Sequence, residues 1–200
     1  MSNDLHALSA PAFLHGLSIL TSLLQKAEQH ATDRKIASSA LLTARLFPDM
    51  FPLIGQVQSA CDTAKRGIAR LIAVEPPRYD DDETTFEQLY ARIQKTLEFI
   101  AKHHAKAFLG AGERKVEMKM SGEVIALTGL EYLTRFALPN FYFHLTTAYN
   151  ILRHNGVVLG KSDFLGSLRR SDETLPAAIW PATTAPEGRS NGGAPSDPAR

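Results

Sequence analysis

One cysteine, one tryptophan and almost no net charge are what this 200-residue chain has least of. With Cys61 alone, an internal disulfide and a cysteine-based zinc cluster are both excluded, and the cytoplasm is the expected compartment. The 22 Lys and Arg against 21 Asp and Glu leave a formal charge of +1. That field is too weak to gather nucleic acid or an anionic membrane, so neither is an expected partner. No basic stretch leads into an apolar run and a small-residue cleavage site, and no segment reads as the ~20 apolar residues of a membrane span. Internal repeats are missing too. The acidic run at 79–83 lacks the alternating oxygens and central glycine of a calcium loop. Its place just ahead of a helix predicts support of the positive helix end instead.

What is present is periodic apolar content. The 200-residue chain is 44% apolar and 22% charged, and residues 1–170 are expected to form one domain with its own core. From 171 to 200 the composition turns to Pro, Ala, Thr, Gly and Ser, which predicts a disordered tail with Ile179 and Trp180 as its one candidate anchor. Ser9 and Pro11 predict a helix start, followed by a core face of Phe13, Leu17, Leu20, Leu24 and Ala27, with His15 read as a surface histidine. A short helix is expected over 38–45, ahead of Pro48. Asp49 is then placed to cap a second long helix that has Pro52 in its first turn. Its apolar face takes in Met50, Leu53, Val57, Ala60, Ala64, Ile68 and Leu71, and it stops before Pro76. Gln56 reads as the border of that face, and Cys61 as a small core residue, since no basic neighbour activates it.

Thr84 to Glu87 has the form of a capping box, and Phe86, Leu89, Ile93, Leu97 and Ile100 follow as a third stripe. His103 and His104 read as its solvated end. The period then changes to alternation over 115–120 and 123–127 around Ser121 and Gly122, which predicts a small β-hairpin. Thr128 and Glu131 form a second capping box, opening a fourth long helix that Gly156 ends. Pro139 predicts a kink or break between Leu138 and Asn140. On this last helix Phe141, Leu145, Ala148 and Leu152 make an apolar stripe, and beside it Asn140, His144 and Thr147 make a polar row at i, i+4 and i+7. The expected fold is therefore all-α, an antiparallel four-helix bundle with a small hairpin before the fourth long helix. Apolar crowding at Phe47, Met50, Phe51 and Phe141 suggests a homodimer.

Ala44 to Leu53, Gln56 to Gln58, Thr84 to Phe86 and Phe136 to Tyr149, with a last helix ending Arg153-His-Asn-Gly156, resemble an uncharacterised family of unknown function within the DinB-like (DinB/YfiT) four-helix-bundle superfamily. The resemblance implies a metal position built from one histidine on the second long helix and two on the fourth. Those positions fall on Gln56, Asn140 and His144, so a single histidine of three remains, a degenerate divalent-metal site. Three readings follow from the row of Gln56, Asn140, His144 and Thr147: a polar cluster satisfied internally, a site for a small polar molecule without a metal cofactor, or a metal-dependent, thiol-dependent transferase or isomerase. The third is implied by the resemblance alone, with Asp62, Tyr142 or Tyr149 as outer groups. The expectation is that Gln56, Asn140 and His144 meet in one pocket.

Overall fold

A computed structural model describes residues 5–120 and 122–166. Helix α1 (Leu5–Arg34) starts earlier than the Ser9 signal implies, because the Ser9 hydroxyl donates to the Leu5 carbonyl one turn back instead of capping, and Leu5 is buried. Pro11 accordingly lies inside the helix. α1 also corrects the reading that no segment approaches a membrane span, since its mean hydropathy reaches 1.5 over an 18-residue window. In the folded chain that apolar surface is covered, with Leu17, Leu20, Leu23 and Leu24 fully buried, as befits a core helix.

The short helix α2 (Ser38–Leu42) ends before Arg45, and the second long helix α3 (Leu53–Ile72) begins at Leu53. Asp49 is therefore no cap, and Met50 and Pro52 lie ahead of the helix. The Arg45 guanidinium donates to the carbonyls of Pro48 and Met50 at 3.3 and 3.4 Å, fixing this stretch as a loop, and the Leu53 N–H closes it on the Ala44 carbonyl at 2.9 Å. Helix α4 (Phe86–Ala101) is capped one residue later than expected, by Thr85 and Gln88. The Gln88 side-chain oxygen accepts the N–H groups of both Thr84 and Thr85, which an acceptor at Glu87 would not reach in that register. After a 3-10 turn (Ala105–Phe108), strands β1 (Lys115–Met120) and β2 (Glu123–Thr128) pair antiparallel, with Val116 opposite Leu127 and Met118 opposite Ile125. Those four side chains form the face laid on the helices, so the alternation read from the sequence is the one used.

Helix α5 (Gly129–Tyr132) opens on the Thr128 and Glu131 capping box as predicted. Gly129 passes so close to the Ala111 carbonyl that a Cβ there would lie 1.9 Å from its oxygen, leaving no residue but glycine. The chain then widens into a π turn (Leu133–Ala137) and continues as α6 (Leu138–His154). The predicted break at Pro139 is therefore displaced one turn upstream. Pro139 has no N–H and its ring crowds the preceding turn, and the wider turn accommodates both without ending the helix. Gly156, at φ 86, ends α6 as expected. Beyond it Val157 and Leu159 are buried, and a last helix α7 (Lys161–Leu165), not foreseen, is tied to α1 by Lys26 to Asp163 at 2.6 Å and His15 to the Leu165 carbonyl at 2.8 Å.

The structure is thus mostly helical with one two-stranded antiparallel sheet, and α1, α3, α4 and α6 share a single core in which the α3 and α6 seam is the most extensive. Phe141, expected to help crowd the surface, is fully buried, while Phe47 and Phe51 are exposed. The compact unit runs to Gly166, and the tail expected over 171–200, with Ile179 and Trp180, lies outside the described residues.

Candidate functional site

Along α3, polar pairs to α5 and α6 recur at regular intervals. Gln56, Thr63 and Arg70 recur every seven residues on α3, which returns them to one face. Opposite them, the ring nitrogen His144 Nδ1 lies 2.8 Å from Gln56 Oε1, Asn140 Nδ2 donates to Thr63 Oγ1 at 2.8 Å, and Arg70 donates to the Tyr132 hydroxyl at 3.1 Å. The predicted convergence of three residues therefore resolves into two separate pairs. Gln56 and His144 do meet, at 1% and 9% exposure, but Asn140 is claimed by Thr63 further along the seam. Thr147 is buried and gives its hydroxyl to the Phe143 carbonyl on its own helix at 2.7 Å. Two of the proposed outer groups sit elsewhere, Asp62 in an ion-pair cluster and Tyr149 against the Phe164 ring. The third, Tyr142, packs edgewise on Phe141.

The hydrogen bonds place a proton on His144 Nδ1. Gln56 Nε2 donates to the Phe51 carbonyl at 3.0 Å, and a carbonyl can only accept. The amide's other end must then be oxygen, so His144 Nδ1 carries the proton that Gln56 Oε1 accepts. In the neutral ring this leaves a lone pair on Nε2, which makes no hydrogen bond to the described residues. Burial pushes the imidazole below the ordinary histidine value of 6.5, because the cation is the form that loses most on leaving water. A proton is then taken up by the unfolded chain before the folded one. The contribution to stability is complete above about pH 6.5 and is lost as pH falls through the lower, folded value. Unfolding midpoints in urea at about pH 7.5 and about pH 5.5 should accordingly separate more for the wild type than for His144→Asn. Equal separations would show that His144 does not titrate differently on folding, since the similarly depressed His103 is common to both proteins.

A second polar cluster escaped the sequence reading. Arg92, on α4 and only 2% exposed, donates to Asp62 at 2.7 Å, Asp81 at 2.9 Å, Glu83 at 2.9 Å and the Asp80 carbonyl at 3.2 Å. Lys65, also buried, pairs with Asp62 at 2.9 Å and lies 3.5 Å from the centre of the Tyr79 ring. The acidic run thus binds a buried guanidinium, correcting its reading as helix-end support. The available signal was Arg92 itself, on the same helical face as Leu89, Ile93 and Thr96. Cys61, beside this cluster, is fully buried as expected, and burial pushes its thiol up to about 12, where no thiolate forms at neutral pH. The expected solvated end of α4 is partly packed, with His103 edgewise on Phe99.

The mostly helical fold with its small two-stranded sheet has a DinB-family neighbour. The chain is similar to the crystal structure of a DinB family member protein from Shewanella denitrificans, at 41% identity over 83% of this chain and 94% of that one, with a TM-score of 0.77. Over residues 5–165 it belongs to the family described as Domain of unknown function (DUF1993). No curated protein matches it.

Proposed function

We propose that this protein is an antiparallel four-helix bundle of the DinB type whose α3 and α6 seam binds a small polar molecule without a metal, with His144 Nε2 as the acceptor at the site. The relay from the Phe51 carbonyl through Gln56 to His144 Nδ1 carries this reading, because it presents one neutral imidazole nitrogen with its lone pair uncommitted. The bundle arrangement is supported by the mutual packing of α1, α3, α4 and α6 and by the DinB neighbour. Placement in the cytoplasm is supported by the unpaired Cys61 and by the covered apolar surface of α1.

The residues at the superfamily's metal position do not fit a transition metal. Gln56 has both ends of its amide engaged, Asn140 gives its amino group to Thr63, and only one imidazole nitrogen is left. Among the described residues no group of three or more His, Cys, Asp and Glu is placed to hold a metal ion. Three protein ligands are the usual minimum for catalytic zinc. Metal analysis of protein purified without an affinity tag or added metal should give far less than one zinc or nickel per chain, and His144→Ala should give the same. Stoichiometric metal in the wild type that disappears in His144→Ala would overturn the reading in favour of a metalloenzyme.

A further inference from the structure

Resting on that reading of the site, the geometry points to a narrower ligand class: an uncharged molecule that offers one O–H or N–H group on an apolar, aromatic body. In the neutral ring Nε2 can only accept. That role follows from a backbone carbonyl two hydrogen bonds away, at 3.0 Å and 2.8 Å, which cannot change from acceptor to donor. A hydroxyl or N–H brought to Nε2 completes a hydrogen bond, whereas a carboxylate would set one lone pair against another. No counter-charge favours an anion either, since among the described residues no Lys or Arg bonds to Gln56, Asn140, His144 or Thr147. The apolar part of the ligand is indicated by Phe143, whose ring stands edgewise to His144 with centroids 5.3 Å apart and is 56% exposed. Phe51, whose carbonyl anchors the relay, is 58% exposed. An exposed phenylalanine ring against the imidazole, with a second on the residue that anchors the relay, suits an aromatic ligand with one polar end.

Phenol, toluene and benzoate separate the possibilities, because they share a ring and differ in donor, no polar group, and anion. The full chain labelled with 15N is titrated with each while the His144 ring nitrogens are followed by long-range proton–nitrogen correlation. Phenol is expected to move Nε2 saturably, with an affinity on the order of millimolar for so small a probe. Toluene should bind roughly tenfold more weakly for want of the hydrogen bond, and benzoate should leave the ring unmoved. Toluene or benzoate binding as well as phenol, or no probe moving the ring, overturns the ligand class. The two readings fail separately. A ligand-free spectrum with the proton on Nε2 removes the acceptor site itself, whereas a proton on Nδ1 with phenol unbound removes only the ligand class.

Discussion

Arg92→Met is expected to destabilise the fold by about 3–5 kcal/mol, the usual cost of removing one partner from a buried ion pair. The guanidinium joins Asp62 on α3, α4 and the connection that carries Asp81 and Glu83. Without it Asp62 keeps Lys65 at 2.9 Å and Arg66 at 2.8 Å, whereas Glu83 loses its cation and keeps Gln58 at 2.8 Å. Burial by itself would raise the Glu83 carboxyl, and the hydrogen bonds from Gln58 and Arg92 outweigh it, holding the group below its ordinary 4.5. With a depressed folded value, the stability Glu83 contributes is present above about pH 4.5 and is lost as pH falls through that lower value. The variant should lose this acid-sensitive component as well as absolute stability. Arg92→Lys should recover little, because an ammonium cannot reproduce a planar fork shared among three carboxylates and a carbonyl. Urea unfolding reads the effect, and a loss under ~1 kcal/mol would mean the pairs are screened like surface ones.

Phe141→Ala should cost a similar ~3–5 kcal/mol, through lost transfer energy and the cavity left behind. Its ring is fully buried, meets Phe13 edge to face at 5.1 Å and fills the space where Gly16 has no side chain. A Cβ added at Gly16 would lie 2.4 Å from that ring, so Gly16→Ala alone is also destabilising. Together the two changes should be less harmful than their sum, because the added methyl occupies part of the vacated volume. Additive losses would place Gly16 and Phe141 out of contact.

The elements legible in the sequence were those whose residues act locally. Phe13 to Ala27, Leu53 to Leu71 and Phe141 to Leu152 repeat at the helical period, Lys115 to Met120 alternates, and Thr128 with Glu131 caps its helix from three residues away. Each needs no knowledge of a distant partner. What was not legible depended on long-range pairing. Arg92 is buried because carboxylates from two other segments reach it, the Asp62 carboxyl from 30 positions back among them. The start of α3 depends on Arg45 folding back on the carbonyls of Pro48 and Met50. Within the site, the row on α6 was visible, and so was the pairing of His144 with Gln56 through the family resemblance. The loss of Asn140 to Thr63 was not, since it depends on where α3 crosses α6 along their lengths. The seven-residue spacing of Gln56, Thr63 and Arg70 was the signal in the sequence that anticipated it.

One proton on the His144 ring decides whether the site is an acceptor, and long-range proton–nitrogen correlation of that ring across a pH titration of the ligand-free protein observes it directly. The prediction is a neutral ring with hydrogen on Nδ1, a bare Nε2 and a midpoint below the ordinary 6.5. Hydrogen on Nε2 at neutral pH, or a midpoint above 6.5, would contradict it.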